Sequence, residues 1–374
     1  MDVQKDKQPS AADMISLLET NIVCTVSHIE ELQAYEGRNF YLRIVKSEQD
    51  QCDYIGNLTE FVVKVTKCEE MRESKWKSLK KILNCLLHCG FTSTKLLSTY
   101  KMEKNGIVYL VLLLNYIPGS PLMYHWSKLD KTMVIKQMGE MVANLHNTLQ
   151  TLDPSLFAEE KDEENAWVLE NASVMLDYLI AIKDEKEREI IDSIIKQFIY
   201  LMEQNGEHFK KGIIHGDLHE MNLIVNWKDG QLQPHCHSSG NHTVKDLFGI
   251  IDFSSMCVSC YIYEVGQIIC DFMVSTCPDN CYSVAVTFLS GYLKCRNLNQ
   301  HELSILFISI MTTLCQYYVI REHKFHGQTN NEYATLGAKK AYHLIMAYHN
   351  MTDIFMSNLS KFLQNDFNID LKNS

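Results

Sequence analysis

Residues 213–225 read IIHGDLHEMNLIV, an apolar run, a polar loop and a second apolar run. Asp217 and Asn222 stand five residues apart in that loop. Phosphoryl transfer uses this spacing for two tasks. A carboxylate orients and deprotonates the attacking hydroxyl, and an amide oxygen holds a metal without adding repulsive charge. Thirty residues past Asn222, GIIDFSS places Asp252 directly after another apolar run. A carboxylate there would bind magnesium ions that bridge nucleotide phosphates. Lys64, in FVVKVT, supplies the matching cation. A lysine flanked by buried strand residues is costly unless it meets an anion, here the α- and β-phosphates. Singly, each residue has a bland reading: a turn aspartate, or a strand lysine reaching for water. Together, in the order Lys64, Asp217, Asn222, Asp252, they predict a kinase.

The elements around them fit that order. Residues 40–46 (FYLRIVK) and 60–66 (EFVVKVT) have the β-branched and aromatic enrichment of strands. The second alternates, with Phe61, Val63 and Val65 on one face and Val62 and Lys64 on the other. Trp76, Leu79, Ile82, Leu83, Leu86 and Leu87 recur at helical spacing, and Gly90 follows as a C-cap. GIVYLVLLLNYIPG then predicts a strand ending in the Pro118-Gly119 break. From about residue 121 the pattern is helical, with amphipathic stretches at 131–149, 167–183 and 187–206. A strand–turn–strand block at 212–253 interrupts it, and helices resume from about 262 to 365. The expected class is α+β, with boundaries at 1–117 for a small β-rich N-lobe and 118–374 for a larger, mainly helical C-lobe.

Composition narrows the function classes. The 374 residues are 46% hydrophobic and 22% charged, which excludes a disordered protein. The formal charge of −11 disfavours nucleic acid and suits a small neutral or cationic substrate. Thirteen scattered cysteines and a polar start, MDVQKDKQPS, point to free thiols in the cytoplasm. Leu303–Ile320 is apolar enough to need a membrane check, but Ser304, Ser309, Thr312, Thr313 and Gln316 make it a buried core helix. The run HCHSSGNH, with His235, Cys236, His237 and His242, reads as a solvated hairpin insertion rather than zinc ligands. Cys257 and Cys260 have redox-motif spacing without the βαβ context, and EEKDEEN reads as a solvated run.

Lys64, YIPG at 116–119, GEMVANLH at 139–146, HGDLHEMN at 215–222 and IDF at 251–253 resemble the aminoglycoside phosphotransferase family, kinase-like enzymes that include choline and methylthioribose kinases. HGD in place of HRD is that family's mark. A narrower similarity, to the branch acting on 5-hydroxy-L-lysine, lies in AYEGRNFYL, Glu164-Asn165, YIYEVG and FISIMTTLCQYYV. The resemblance implies a protein-kinase-like bilobal fold with a nucleotide between lobes, its base against Asn115, Tyr116 and Ile117. It implies Asp217 as the base, Asn222 and Asp252 on Mg²⁺, Lys64 on the phosphates of GTP or ATP, and Tyr35–Phe40, with Asn39, over them. The substrate would be an amino acid or amino alcohol. Glu220 or Glu264 would meet its ammonium group, or Glu220 would be solvated and Glu264 a loop anchor.

The pattern departs from the family in three places. Lys77 stands where a glutamate should pair with Lys64, the nearest acids being Glu69, Glu70 and Glu73. Ser254 replaces a motif glycine, and only Gly37 marks the phosphate-covering loop. Two alternatives stay open: a kinase of choline, ethanolamine or homoserine, and a pseudokinase without turnover.

Overall fold

A computed structural model describes residues 8–22, 24–32, 37–46, 55–68, 73–157, 164–235, 243–277, 281–325 and 332–371. The protein forms two compact units, residues 1–120 with 224–251, and residues 121–223 with 252–374.

The first unit opens with helix α1 (Ala11–Ile22) and strand β1 (Cys24–Leu32), neither of which the sequence patterns announce. Strands β2 (Arg38–Lys46) and β3 (Glu60–Lys67), helix α2 (Glu73–His88), and strands β4 (Leu96–Lys104) and β5 (Ile107–Asn115) follow. The five strands form one sheet in the order β1-β2-β3-β5-β4. Strict alternation sorts its faces. Phe61, Val63 and Val65 of β3 join Phe40, Leu42 and Ile44 of β2 and Val111 and Leu113 of β5 in a core closed by Met14, Leu18 and Ile22 of α1. Lys64 therefore lies on the opposite face, half-buried. Residues 224–251 add β7 (Leu223–Lys228), β8 (Gln231–Gln233) and β9 (Gly249–Ile250). Ile250 is tied in by its N–H to the Thr92 carbonyl at 2.8 Å and by its own carbonyl to Thr94 N–H at 3.2 Å.

The second unit is mainly helical: α3 (Lys131–Leu149), α4 (Glu185–Asn205), α5 (Tyr261–Thr276), α6 (Cys281–Tyr292), α7 (Leu306–Phe325), α8 (Glu332–Tyr348) and α9 (Thr352–Phe367). Strand β6 (Lys211–Ile214) pairs there with β10 (Cys257–Cys260). The helix expected at 167–183 is broken into short turns around Val174–Tyr178. Asn165 competes for the backbone there, its Oδ1 accepting Trp167 N–H at 3.0 Å and its carbonyl accepting Asn171 Nδ2–H at 3.2 Å. The hydroxyls that argued against a membrane span are satisfied by nearby backbone carbonyls. Ser309, Thr312 and Thr313 donate to carbonyls four residues back at 2.8–2.9 Å, and Gln316 donates to the Ala166 carbonyl at 2.8 Å. Among the described residues no helix is long and apolar enough to cross a membrane.

Helices α3 and α6 meet backbone to backbone through two glycines. A methyl on Gly139 would overlap the Phe288 carbonyl, and one on Gly291 would overlap the Lys136 carbonyl. Neither obstacle is a side group that can swing away. Gly139→Val should therefore destabilise the protein by about 2–3 kcal/mol through overpacking. Denaturant unfolding would read this as a lower midpoint, and an unchanged midpoint would contradict the close crossing.

Candidate active site

Strands β6 and β10 explain why two distant loops share one place. They are antiparallel, with Ile214 opposite Cys257 and Ile213 opposite Val258. The loop leaving β6 therefore emerges beside the loop entering β10. The His215 ring packs on Phe253 at 4.8 Å, and a Cβ on Gly216, at φ +79°, would strike the Ser255 carbonyl. The Asp217 loop and the Asp252 turn are thus seated on each other. Only glycine tolerates both that φ and that proximity.

Within the loop, Asn222 holds Asp217. Its Nδ2 donates to the Asp217 backbone carbonyl at 2.8 Å and to Asp217 Oδ2 at 3.1 Å. These bonds commit the amide nitrogen and fix the carboxylate rotamer, leaving Asn222 Oδ1 as the face for a cation. Asp217 N–H donates to His215 Nδ1 at 3.3 Å, and His215 is fully buried. The Asp217 side chain is 40% exposed, so a substrate hydroxyl can reach it. Asp252 takes the left-handed conformation, φ +58°, and its Oδ1 accepts Ser254 Oγ–H at 2.6 Å. Serine at the motif-glycine position thus helps to orient this carboxylate. Carboxylate and amide oxygens suit a hard divalent cation such as Mg²⁺.

His219 stands beside them, its Nε2 3.6 Å from Asp217 Oδ1. Burial would lower its pKa, but Asp217, Asp271 and Glu220 raise it to about 9. Met221 N–H donates to its Nδ1 at 3.2 Å, which requires that nitrogen to be unprotonated. Asn222 Nδ2 also lies 3.2 Å from its Nε2, so donors approach both ring nitrogens while the surrounding acids favour protonation.

Beneath the loop runs a buried series of hydrogen bonds. Glu264 Oε1 accepts Gly216 N–H at 2.6 Å, and Oε2 accepts His146 Nε2–H at 2.7 Å. His146 Nδ1 accepts Tyr292 Oη–H at 2.8 Å. Both Glu264 and His146 are fully buried. Burial alone would raise Glu264, but His146 and the Gly216 N–H hold its carboxyl below the usual carboxylate range. Burial keeps His146 below its ordinary value despite Glu264. The pair is a carboxylate and a neutral imidazole. Glu264, considered for the substrate ammonium group, instead spends both oxygens on fixing the loop.

Glu220, the other candidate, is also buried. It accepts Ser275 Oγ–H, and its backbone carbonyl accepts Met123 N–H at 3.3 Å. Asp271 of α5 feels the charges of His219, Glu220 and Asp217, and Tyr317 donates to its Oδ1. The site is thus rich in acid.

In the first unit, Lys64 lies directly opposite Asn39 on β2 and Leu112 on β5. Lys64 and Asn39 therefore share one sheet face, which brings two expected phosphate-side residues together. Asn115 and Tyr116 follow β5, with Tyr116 N–H bonded to the Glu60 carbonyl at 3.2 Å and Ile117 buried. Lys77, expected opposite Lys64, is exposed and carries its Nζ over the Trp76 ring at 5.7 Å. Helix α2 begins at Glu73. Glu69, Glu70, residues 33–36 and the Cys236–His242 run lie outside the described residues; His235 Nε2 meets the Ile224 carbonyl at 3.0 Å. Cys260 is buried, its thiol pushed up to about 12 by that burial, and both it and Cys257 are thiols rather than disulfide partners.

Sequence reasoning missed His219, Asp271, Tyr317 and the role of His146. One signal was available for Asp271: it is a lone carboxylate in the apolar run IICDFM, seven residues past Glu264 and hence on the same helical face.

Residues 96–301 match the family described as Phosphotransferase enzyme family. The protein is 24% identical over 340 residues to a hydroxylysine kinase of Mus musculus, covering 88% of this chain and 86% of that one. A microcompartment-associated aminopropanol kinase superposes with a TM-score of 0.61 at 14% identity, covering 93% of this protein and 98% of the other. An amicoumacin kinase in complex with AMP-PNP and Ca²⁺ gives 0.60 at 11%, covering 93% and 96%. The α+β, protein-kinase-like fold expected from the sequence is the one observed. With a match across more than half its length, the chain belongs to the phosphotransferase enzyme family and is a kinase acting on an alcohol group.

Proposed function

We propose that the protein transfers the terminal phosphate of GTP or ATP to the hydroxyl of 5-hydroxy-L-lysine. The observation that carries this reading is the clamp of Asn222 on Asp217, on a loop seated against the Asp252 turn. A carboxylate held in one rotamer, yet exposed, suits a base that must meet a substrate hydroxyl. As the hydroxyl oxygen bonds to the terminal phosphorus, its proton passes to Asp217, and the bond to the departing nucleoside diphosphate breaks. Asn222 Oδ1 and the Asp252 carboxylate would hold Mg²⁺, which supplies charge neutralisation at the phosphates. Lys64 would add positive charge at the α- and β-phosphates, with Asn39 beside it and Asn115–Ile117 along the base. The acids Glu220 and Asp271 favour a cationic substrate, in keeping with the names of the hydroxylysine kinase and aminopropanol kinase relatives.

A product assay tests this directly. Purified protein with Mg²⁺, GTP or ATP, and a panel of 5-hydroxy-L-lysine, choline, ethanolamine and homoserine should yield phosphohydroxylysine by mass spectrometry. Phosphorylation of another panel member alone would reassign the substrate, and no product at all would favour a pseudokinase. Lys64→Met should cut kcat/KM about 100-fold by removing one electrostatic stabiliser of the transferring phosphate. Steady-state kinetics within threefold of wild type would remove Lys64 from the site.

A further inference from the structure

Helix α2 and the start of β4 enclose a surface groove of about 580 Å³ within the first unit. Leu87, Leu96 and Leu97 form its floor, and Lys80, His88 and Lys95 stand along its rim. A second depression of about 390 Å³ adjoins it, sharing Leu87 and Lys95 and adding Ile55 and Leu58. The two make an elongated trough rather than a compact cavity. Charge sets it apart. The chain carries 46 acidic residues against 35 basic ones, yet no carboxylate lines either depression among the described residues. Helix α2 brings Lys75, Lys77, Lys80 and Lys81 against one acid, Glu73. Lys80 and Lys95 are exposed, and no ion pair engages either among the described residues. Lys95 is set in place by its N–H, which donates to Asn115 Oδ1. His88 Nδ1 donates to the Asn84 carbonyl at 2.6 Å, leaving Nε2 for a further contact. Strand β4 is also the edge of the five-stranded sheet, with β5 on one side and no strand of that sheet on the other among the described residues. Such an edge offers main-chain groups to an added strand.

We infer that this trough docks an extended segment of a partner protein in which aspartate or glutamate alternates with aliphatic residues. An extended chain sends successive side chains to opposite faces. The aliphatic ones would enter the leucine floor. The acidic ones between them would stay level with the rim, where lysine stems lift their ammonium groups toward water. A nucleic acid or a membrane surface presents a wide field of negative charge, which the chain's own −11 opposes. A short segment meets only the local lysines, the more distant acids being screened. Docking here is independent of the phosphotransfer reading, and its test reads binding alone.

The test is fluorescence anisotropy of the full chain with a labelled peptide of alternating leucine and aspartate. Micromolar affinity, the scale of a small transient contact, is expected. Asparagine in place of aspartate in the peptide should weaken binding about 10-fold or more, as should combining Lys80→Glu with Lys95→Glu. A leucine–lysine peptide should then bind the reversed variant more tightly than wild type, a swap that damage to the fold would not produce. Affinity weaker than millimolar, equal affinity for the asparagine peptide, or no change in the double variant would overturn the inference. A glycine–aspartate peptide binding as tightly would overturn it too, since the leucine floor would then be idle. Tighter binding of single-stranded DNA or phosphatidylserine vesicles through the same lysines would replace the partner segment with that anion. A dimer seen in sedimentation and lost in the double variant would assign the trough to a second copy instead. If circular dichroism shows the double variant unfolded, Asn84→Trp decides, because Asn84 lines the groove and the change fills it without altering charge. A loss of about 10-fold there supports the inference, and none overturns it.

Discussion

Replacing Asp217 by asparagine should reduce kcat by about 10³-fold, within the range contributed by a positioned general base. The substitution is nearly isosteric. Asn222 Nδ2 can still donate to the backbone carbonyl of residue 217 and to the new amide oxygen, as it does to the present residue at 2.8 and 3.1 Å. Loop shape and nucleotide binding should therefore survive while the proton acceptor is lost. Calorimetric affinity for the nucleotide within threefold of wild type, with product nearly abolished, is the expected pair of results. A variant retaining a tenth or more of the activity would move the base elsewhere, and His219 would be the next candidate.

Glu264→Ala should cost about 3–5 kcal/mol of stability, because it strands two buried donors and opens a cavity. Those donors are Gly216 N–H and His146 Nε2–H. The same change frees the loop that carries Asp217, and kcat should fall about 100-fold through misplacement. Glu264→Gln should be far milder. Its amide oxygen can keep Gly216, and its NH₂ can donate to His146 if the ring moves its proton to Nδ1 and donates to Tyr292. Equal damage from both variants would mean that charge, rather than hydrogen-bond continuity, matters here. The pair also sets an acid limit. His146 is held below its ordinary 6.5, so its contribution is complete above that value and declines as pH falls, because the unfolded protein binds the proton first. Glu264 is held below 4.5, so its contribution is present above that value and is lost on further acidification. Denaturant titrations should show stability falling in two stages below about pH 6.5, the first absent from His146→Gln.

The parts of the site that could be read in the sequence are those set by local geometry. Asp217 and Asn222 occupy one loop, so their spacing alone predicts a meeting, and they meet. Lys64 follows from the alternation of Phe61, Val63 and Val65, which places it off the core face. Contacts across long separations left no local trace. His146 and Glu264 are 118 residues apart, and Tyr292 lies 146 residues from His146 around the same ring. Asp271 was hidden because its neighbours made α5 read as plain core. Residues 167–183 kept helical spacing, but Asn165 side-chain and backbone bonds diverted the chain's path, a competition periodicity does not register.

The Gly216 amide reports on more than its own loop. It is bonded to a carboxylate on α5, which is bonded to an imidazole on α3 and through it to a phenol on α6. Surface loops ordinarily trade their amide protons with solvent through small local openings. This one can do so only when the meeting of three helices comes apart. In deuterated buffer its protection should approach that of the helical core, while the neighbouring exposed turns label quickly.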